Sequence, residues 1–87
     1  MQQLAEIQIA IRLEGDGFAT SDELELRDVI EDWITAQNLG QIVDAGSGLG
    51  VMNLAVEVSD ATAALEQLEV YIAQLGIRDR TTLEIAA

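Results

Sequence analysis

The 87-residue sequence contains no lysine, histidine, cysteine or proline. Without cysteine there is no thiolate nucleophile, no disulfide framework and no thiolate metal site. Without histidine there is no imidazole base and no Ser-His pair. Without lysine there is no Schiff base and no P-loop lysine. Aromatic residues are limited to Phe18, Trp33 and Tyr71. What remains for chemistry is carboxylates, hydroxyls, one tyrosine, four arginines and the backbone. An enzyme built from these would need paired carboxylates or a borrowed metal, and no carboxylate pair stands out. A non-enzymatic protein without cofactor or bound metal is therefore expected. No apolar run approaches the ~18 residues that cross a membrane. The start, Met1-Gln2-Gln3-Leu4, lacks the basic and apolar regions of a signal peptide. A cytoplasmic protein is the expectation.

What the sequence has in excess is acid. Sixteen Asp and Glu against four Arg give a net charge of −12. Phosphate recognition needs clustered cations, and Arg12, Arg27, Arg78 and Arg80 form no continuous run, so neither nucleic acid nor an anionic membrane is an expected partner. A basic protein partner is one reading of the charge; solubility is the other. The apolar fraction of 49% is ample for one small core.

Periodicity gives six elements. Ala5, Ile7, Ile9, Ile11 and Leu13 alternate with Glu6, Gln8, Ala10 and Arg12, which predicts a strand with one wet face. Glu14-Gly15-Asp16-Gly17 breaks the pattern. Thr20 with Glu23 forms a capping-box signature, and Leu26, Val29, Ile30, Trp33 and Ile34 make a helical stripe. Glu23→Arg27 and Arg27→Glu31 have ion-pair spacing on that helix, and Gly40 reads as its C′ stop. Gln41–Ala45 reads as a short strand, Gly46-Ser47-Gly48-Leu49-Gly50 as a Gly-rich hairpin linker, and Met52, Leu54, Val56 and Val58 as the buried face of the next strand. Ser59 or Asp60 caps a second helix with its stripe on Ala61, Ala64, Leu65, Leu68, Ile72 and Leu75. Trp33 and Tyr71 are expected to pack under the helices. Gly76 ends the second helix, and Thr81–Ala87 reads as a last strand.

The order β-α-β-β-α-β matches a ferredoxin-like α+β sandwich: one domain over residues 1–87, with a four-stranded antiparallel sheet and both helices on one face. The first and third strands then lie in the middle, and the other face of the sheet is open.

Candidate binding residues follow from this placement. Gly46, Ser47, Gly48 and Gly50 read either as a nest of backbone N–H groups for an anion or as turn geometry. Their G-x-G-x-G spacing is followed by a strand, so they are no dinucleotide fingerprint. On the open face, Arg12 reads as an anchor for an anionic ligand or second subunit, or as the cross-strand partner of Glu57 or Glu84. Asn53 and Glu57 share that face with it. Glu14, Asp16, Asp22 and Glu23 bring oxygens together but fail the EF-hand spacing.

The stretch Gly46–Val58, with its Gly-rich hairpin, Met52-Asn53, alternating strand and following Ala/Leu-rich helix, resembles small uncharacterised bacterial proteins. The resemblance implies a compact bacterial domain and brings no activity. The regulatory ACT domains share the element order but carry a Pro-Gly pair after the first strand, where this chain has Gly15-Asp16-Gly17-Phe18. The expected function is a binding or interaction module, with the open sheet face and the Gly-rich hairpin presented to a ligand or partner and a homodimer formed through that face. The alternative is an acidic inhibitor or immunity-type protein that masks a basic surface.

Overall fold

The alternating first segment forms β1, Ala5–Arg12, whose inward residues Ile7, Ile9 and Ile11 are fully buried. The computed structural model describes residues 4–15, 17 and 19–86. Asp16 and Phe18 of the turn after β1, the N-terminal Met1–Gln3 and Ala87 of the expected last strand lie outside the described residues. Helix α1 spans Ser21–Ala36, and β2 and β3 span Gln41–Gly48 and Val51–Val58. Helix α2 spans Ala61–Gln74, and a short 3-10 turn, Arg78–Arg80, leads into β4, Thr81–Ala86. The strands make one antiparallel sheet in the order β2-β3-β1-β4, so β3 and β1 are central.

Both helices contribute to a single core. Ile30 and Ile34 of α1 and Ala64, Leu68 and Ile72 of α2 are buried with the inward residues of β1 and β3. These α2 positions are those of its expected stripe. On α1 the stripe is shifted: Val29 is 47% exposed, whereas Glu23 is buried. Glu23 can be buried because its carboxylate is saturated with donors. It accepts from the Thr20 backbone N–H at 2.9 Å, the Thr20 hydroxyl at 3.0 Å and the Glu14 N–H at 3.1 Å. The Thr20 hydroxyl in turn accepts from the Glu23 N–H, completing the capping box. These donors, the Thr20 and Glu14 N–H groups first, lower the Glu23 pKa. Its charge therefore supports the fold above the ordinary carboxylate range, and that support fades as pH falls through the lowered value.

The expected ion pairs of Arg27 with Glu23 and Glu31 do not form among the described residues. Glu23 is committed to the cap, and Arg27 reaches the other way. Its Nη1 donates to the Gly46 carbonyl at 3.1 Å, tying α1 to β2.

Both helices end in Schellman geometry. In α2 the C′ residue is Gly76, at φ 78°, and the Ile77 N–H reaches back to the Ile72 carbonyl. In α1 the C′ residue is Asn38, at φ 52°, with the Leu39 N–H bonded to the Ile34 carbonyl. Gly40 is thus not the helix stop. It is glycine because the chain passes tightly over β3. A Cβ there would collide with the Glu57 carbonyl and lie 2.7 Å from Val58 Cγ1.

Backbone at such a contact cannot move aside as a flexible side chain can. Gly40→Ala is expected to destabilise the fold by about 2–3 kcal/mol, a fall in Tm of at least about 8 °C in thermal unfolding. An unchanged Tm would show that the approach of this segment to β3 is looser than described.

Candidate functional site

The register of the sheet assigns every open-face residue a neighbour. Reading across β2, β3, β1 and β4, one row is Gln41, Glu57, Glu6 and Ala86. The next is Asp44, Ala55, Gln8 and Glu84. Then come Gly46, Asn53, Ala10 and Thr82, and finally Gly48, Val51 and Arg12. Arg12 and Glu57 are therefore at opposite ends of the face. Arg12 lies opposite Val51, and Glu84 lies opposite Gln8, so neither expected cross-strand pair with Arg12 is made. The spacing is decided by hairpin geometry, which places the β2–β3 turn beside the end of β1.

Asn53 sits beside Gly46 and Ala10, one row in from Arg12. Glu57 is four residues further along β3, about 13 Å away at the rise of a strand. Of the candidate residues, the fold brings Arg12, Asn53, Gly46 and Gly48 to one end of the face. It leaves Glu57 at the other.

That end is hollowed. A pocket of about 230 Å³ is lined by Ala10, Arg12, Val51, Asp79, Arg80, Thr81 and Thr82. Its wall is the 3-10 turn, which curls over the end of the sheet. The turn is pinned from below. The Thr81 hydroxyl donates to the Ile77 carbonyl at 2.7 Å, and Arg78 donates to the Thr81 carbonyl at 2.8 Å and to Glu69 at 3.2 Å. Arg80, whose side chain is 22% exposed, stands 3.8 Å from a Glu14 oxygen, a loose pair that leaves most of its donors free. Arg12 is exposed and has no ion pair among the described residues. Arg12, Arg80 and Thr82 thus line one hollow of a strongly acidic protein, together with the single carboxylate of Asp79. Chemically this is a cradle for a carboxylate or phosphate oxygen.

Arg80 and Thr82 escaped the sequence reading. Thr82 was legible as a wet-face residue of the last strand. Its place beside Ala10, and the fold of Arg80 over the sheet, follow only from the β1–β4 register and the 3-10 turn.

The Gly-rich segment differs from the expected linker. Strand β2 continues through Gly46, Ser47 and Gly48, and the connection is only Leu49-Gly50. Leu49 and Gly50 have φ of 55° and 80°, the two positive values of a type I′ turn. Three backbone groups of the segment are engaged outside the β2–β3 pairing. The Gly50 N–H donates to the Gly17 carbonyl at 3.0 Å, the Leu13 N–H donates to the Gly50 carbonyl at 2.8 Å, and the Gly46 carbonyl accepts from Arg27. Of the N–H groups expected to form a nest, that of Gly50 is thus committed to the Gly17 carbonyl. Gly46 and Gly48 leave β2 without side chains at the Arg12 end of the open face, and a Cβ at Gly46 would press on Asn53 Oδ1 at 3.3 Å.

Comparison of the chain with family models, curated proteins and solved structures finds no match. The site is accordingly argued from its own geometry.

A larger hollow of about 420 Å³ lies on the helix side, lined by Trp33, Glu66, Gln67, Val70, Tyr71 and Gln74. Trp33 and Tyr71 are half-buried and stack on each other, with ring centroids 4.1 Å apart and planes within 3°. They bridge the two helices rather than passing wholly beneath them. Neither hollow is lined by two carboxylates. Among the described residues no group of three or more Asp and Glu is placed to hold a metal ion.

Leu49 is the most exposed large apolar residue among the described residues, at 96%, and it holds a backbone conformation that costs a non-glycine residue roughly 1–2 kcal/mol. Leu49→Asn, which restores the favoured Asn-Gly pair of a type I′ turn, is expected to raise Tm by about 4 °C or more. A fall in Tm would mean that Leu49 packs against something the isolated chain does contain.

Proposed function

We propose that the chain is a non-enzymatic binding module of ferredoxin-like topology whose working surface is the open face of its sheet. The strand order β2-β3-β1-β4, with β1 and β3 central and both helices in one core, supports the topology. The observation that carries the binding role is the Arg12–Arg80–Thr82 pocket. Two of only four arginines in a chain of net charge −12 line one hollow on that face. A group held there is an oxyanion, carboxylate or phosphate, with Asn53 and the side-chain-free Gly46 and Gly48 beside it. The hairpin tip presents Leu49 at the same end of the sheet.

Titration with inorganic phosphate and with succinate, followed by amide chemical shifts, tests this. Shifts are expected to concentrate at Ala10–Arg12, Val51 and Asp79–Thr82. Arg12→Ala and Arg80→Ala should each weaken the response by about three- to tenfold, the usual loss of one charge-assisted contact at a partly exposed site. Shifts scattered over the surface, or insensitive to both substitutions, would refute the pocket as the binding point.

A second reading, an acidic inhibitor of a basic protein, is favoured by α1. Asp22, Glu25, Asp28 and Asp32 are exposed along it. The Glu31 pKa is raised, by burial first and also by the charges of Asp28 and Asp32, against the opposing pull of Arg27. A raised carboxyl pKa in the fold means that the ionised form subtracts stability at neutral pH, a penalty that disappears as pH falls below the unfolded value. Glu31→Gln is expected to raise Tm by about 2–4 °C at pH 7 and to give no gain near pH 4. A gain that persists in acid would trace to packing instead of charge. For the inhibitor reading itself, capture of a basic protein from the native host should weaken steeply with salt; capture indifferent to salt counts against it.

A further inference from the structure

The open face carries charge of opposite sign at its two ends. At one end Glu6 of β1 lies directly opposite Glu57 of β3. Like charges facing each other across an antiparallel pair are destabilising. The only side-chain donor to either among the described residues is the Gln8 amide, which donates to Glu6. Neither carboxylate has a cationic partner among the described residues. At the other end Arg12 makes no ion pair among the described residues, although Asp79 lines the same hollow. The two deficits lie on the same strand, six residues apart, and are symmetric about Ile9.

That symmetry is what a two-fold axis requires. Consider an axis lying between two copies of the sheet, perpendicular to the strands and crossing β1 at Ile9. It lays each β1 antiparallel over its twin, with Glu6 of one copy over Arg12 of the other, twice. It sets Gln8 over Ala10, a long side chain over a short one. Along the centre of the face Ala10 and Ala55 are small and Asn53 and Thr82 are uncharged, while the carboxylates Asp44 and Glu84 stand on the outer strands, where the axis sets them over Gly46 and Thr82 of the other copy. The contact is isologous, and near-aligned face-to-face packing is an ordinary arrangement for twisted sheets.

We infer that a second copy of this chain docks face to face on the open sheet, the arginine end of each copy seated on the Glu6–Glu57 end of the other. This rests on the reading of the open face as the binding surface and names its partner. The carboxylate held at Arg12 is then that of the second copy. The footprint spans three inter-strand spacings of about 4.8 Å by six rises of about 3.4 Å. That is a few hundred Å², below the ~800 Å² per partner of a standard interface. The dimer is accordingly weak and concentration-dependent. Two chains of net charge −12 also repel at long range, so moderate salt, about 0.15 M, is the condition that reveals the short-range pairs.

The test is sedimentation equilibrium of the full chain at about 0.15 M salt, from about 10 μM to about 1 mM. The average mass is expected to rise with concentration above the 9.4 kDa of one chain. Arg12→Glu and Glu6→Arg should each weaken association by about tenfold or more, and the double substitution should restore it to within about threefold. The two single changes shift the net charge in opposite directions. A bulk charge effect would weaken one and strengthen the other, whereas specific pairing weakens both. A chain that stays monomeric throughout overturns the inference, as does a dimer that the double substitution fails to restore. If the chain is monomeric yet phosphate or succinate still shifts Ala10, Val51 and Thr82, the binding reading stands and only the second copy is wrong. If that titration is silent as well, both fall.

Discussion

The fixed register of β1 against both its neighbours is the constraint on which the rest depends. Ile7, Ile9 and Ile11 must face the helices, because each is essentially removed from water. A slip of one residue would exchange them with Glu6, Gln8, Ala10 and Arg12. Burying three isoleucines contributes roughly 2 kcal/mol each, so every slip by an odd number of residues is excluded, and the turns and core packing hold the register that is seen. Once it is set, the pairings of Ala10 with Asn53 and Thr82, and of Arg12 with Val51, follow without further choice. The candidate site is thus a by-product of core packing on the opposite face.

The same economy governs the acidic residues. Glu23 is buried, yet its carboxylate joins Thr20, Glu14 and the start of α1. It therefore fixes how the chain leaves β1 and enters the helix. Asp60 does similar work for α2 by accepting from the Ala63 N–H. The exposed Glu14 side chain also stands 3.8 Å from Arg80 at one wall of the pocket. Acid that stabilises helix starts is thereby connected to the basic end of the sheet. The paucity of cations sharpens the contrast: Arg27 and Arg78 are engaged with backbone carbonyls, which leaves Arg12 and Arg80 at the face.

Much of this was legible in the chain. The alternation of Ala5–Leu13 and of Met52–Val58, the Thr20–Glu23 cap and the stripe of α2 all carry strong local signals, and each element stands where those signals put it. The misreadings have a common cause. Gly46, Ser47 and Gly48 have no side-chain pattern, so their strand conformation comes from pairing with β3, a tertiary effect. Gly40 looked like a helix stop because glycine is the usual C′ residue, but Asn38 fills that role and Gly40 answers a close approach to β3. Arg27 had two acidic neighbours at helical spacing, yet a carbonyl on another element claimed it. Arg80 and Thr82 join Arg12 only through the β4 register and a three-residue turn. Local pattern records which face a residue takes. Which residues from distant segments share that face depends on register, and register is a property of the whole sheet.

The charge balance also constrains what kind of partner the pocket can hold. A protein of net charge −12 repels anions at a distance, and no electrostatic steering draws one in. At physiological salt that repulsion is screened beyond about 8 Å. The field of Arg12 and Arg80 is felt at shorter range than this, where two guanidinium groups and a hydroxyl outweigh the single carboxylate of Asp79 in the lining. A small free anion gains only this local field, enough for a weak response confined to the pocket. A macromolecular surface gains more, because flat contact over Ala10, Ala55 and the glycines of β2 can carry its anionic group the last few ångströms. In the proposed binding module the pocket would therefore be a register mark within a larger docking surface, specifying how a partner sits and contributing less to how fast it arrives.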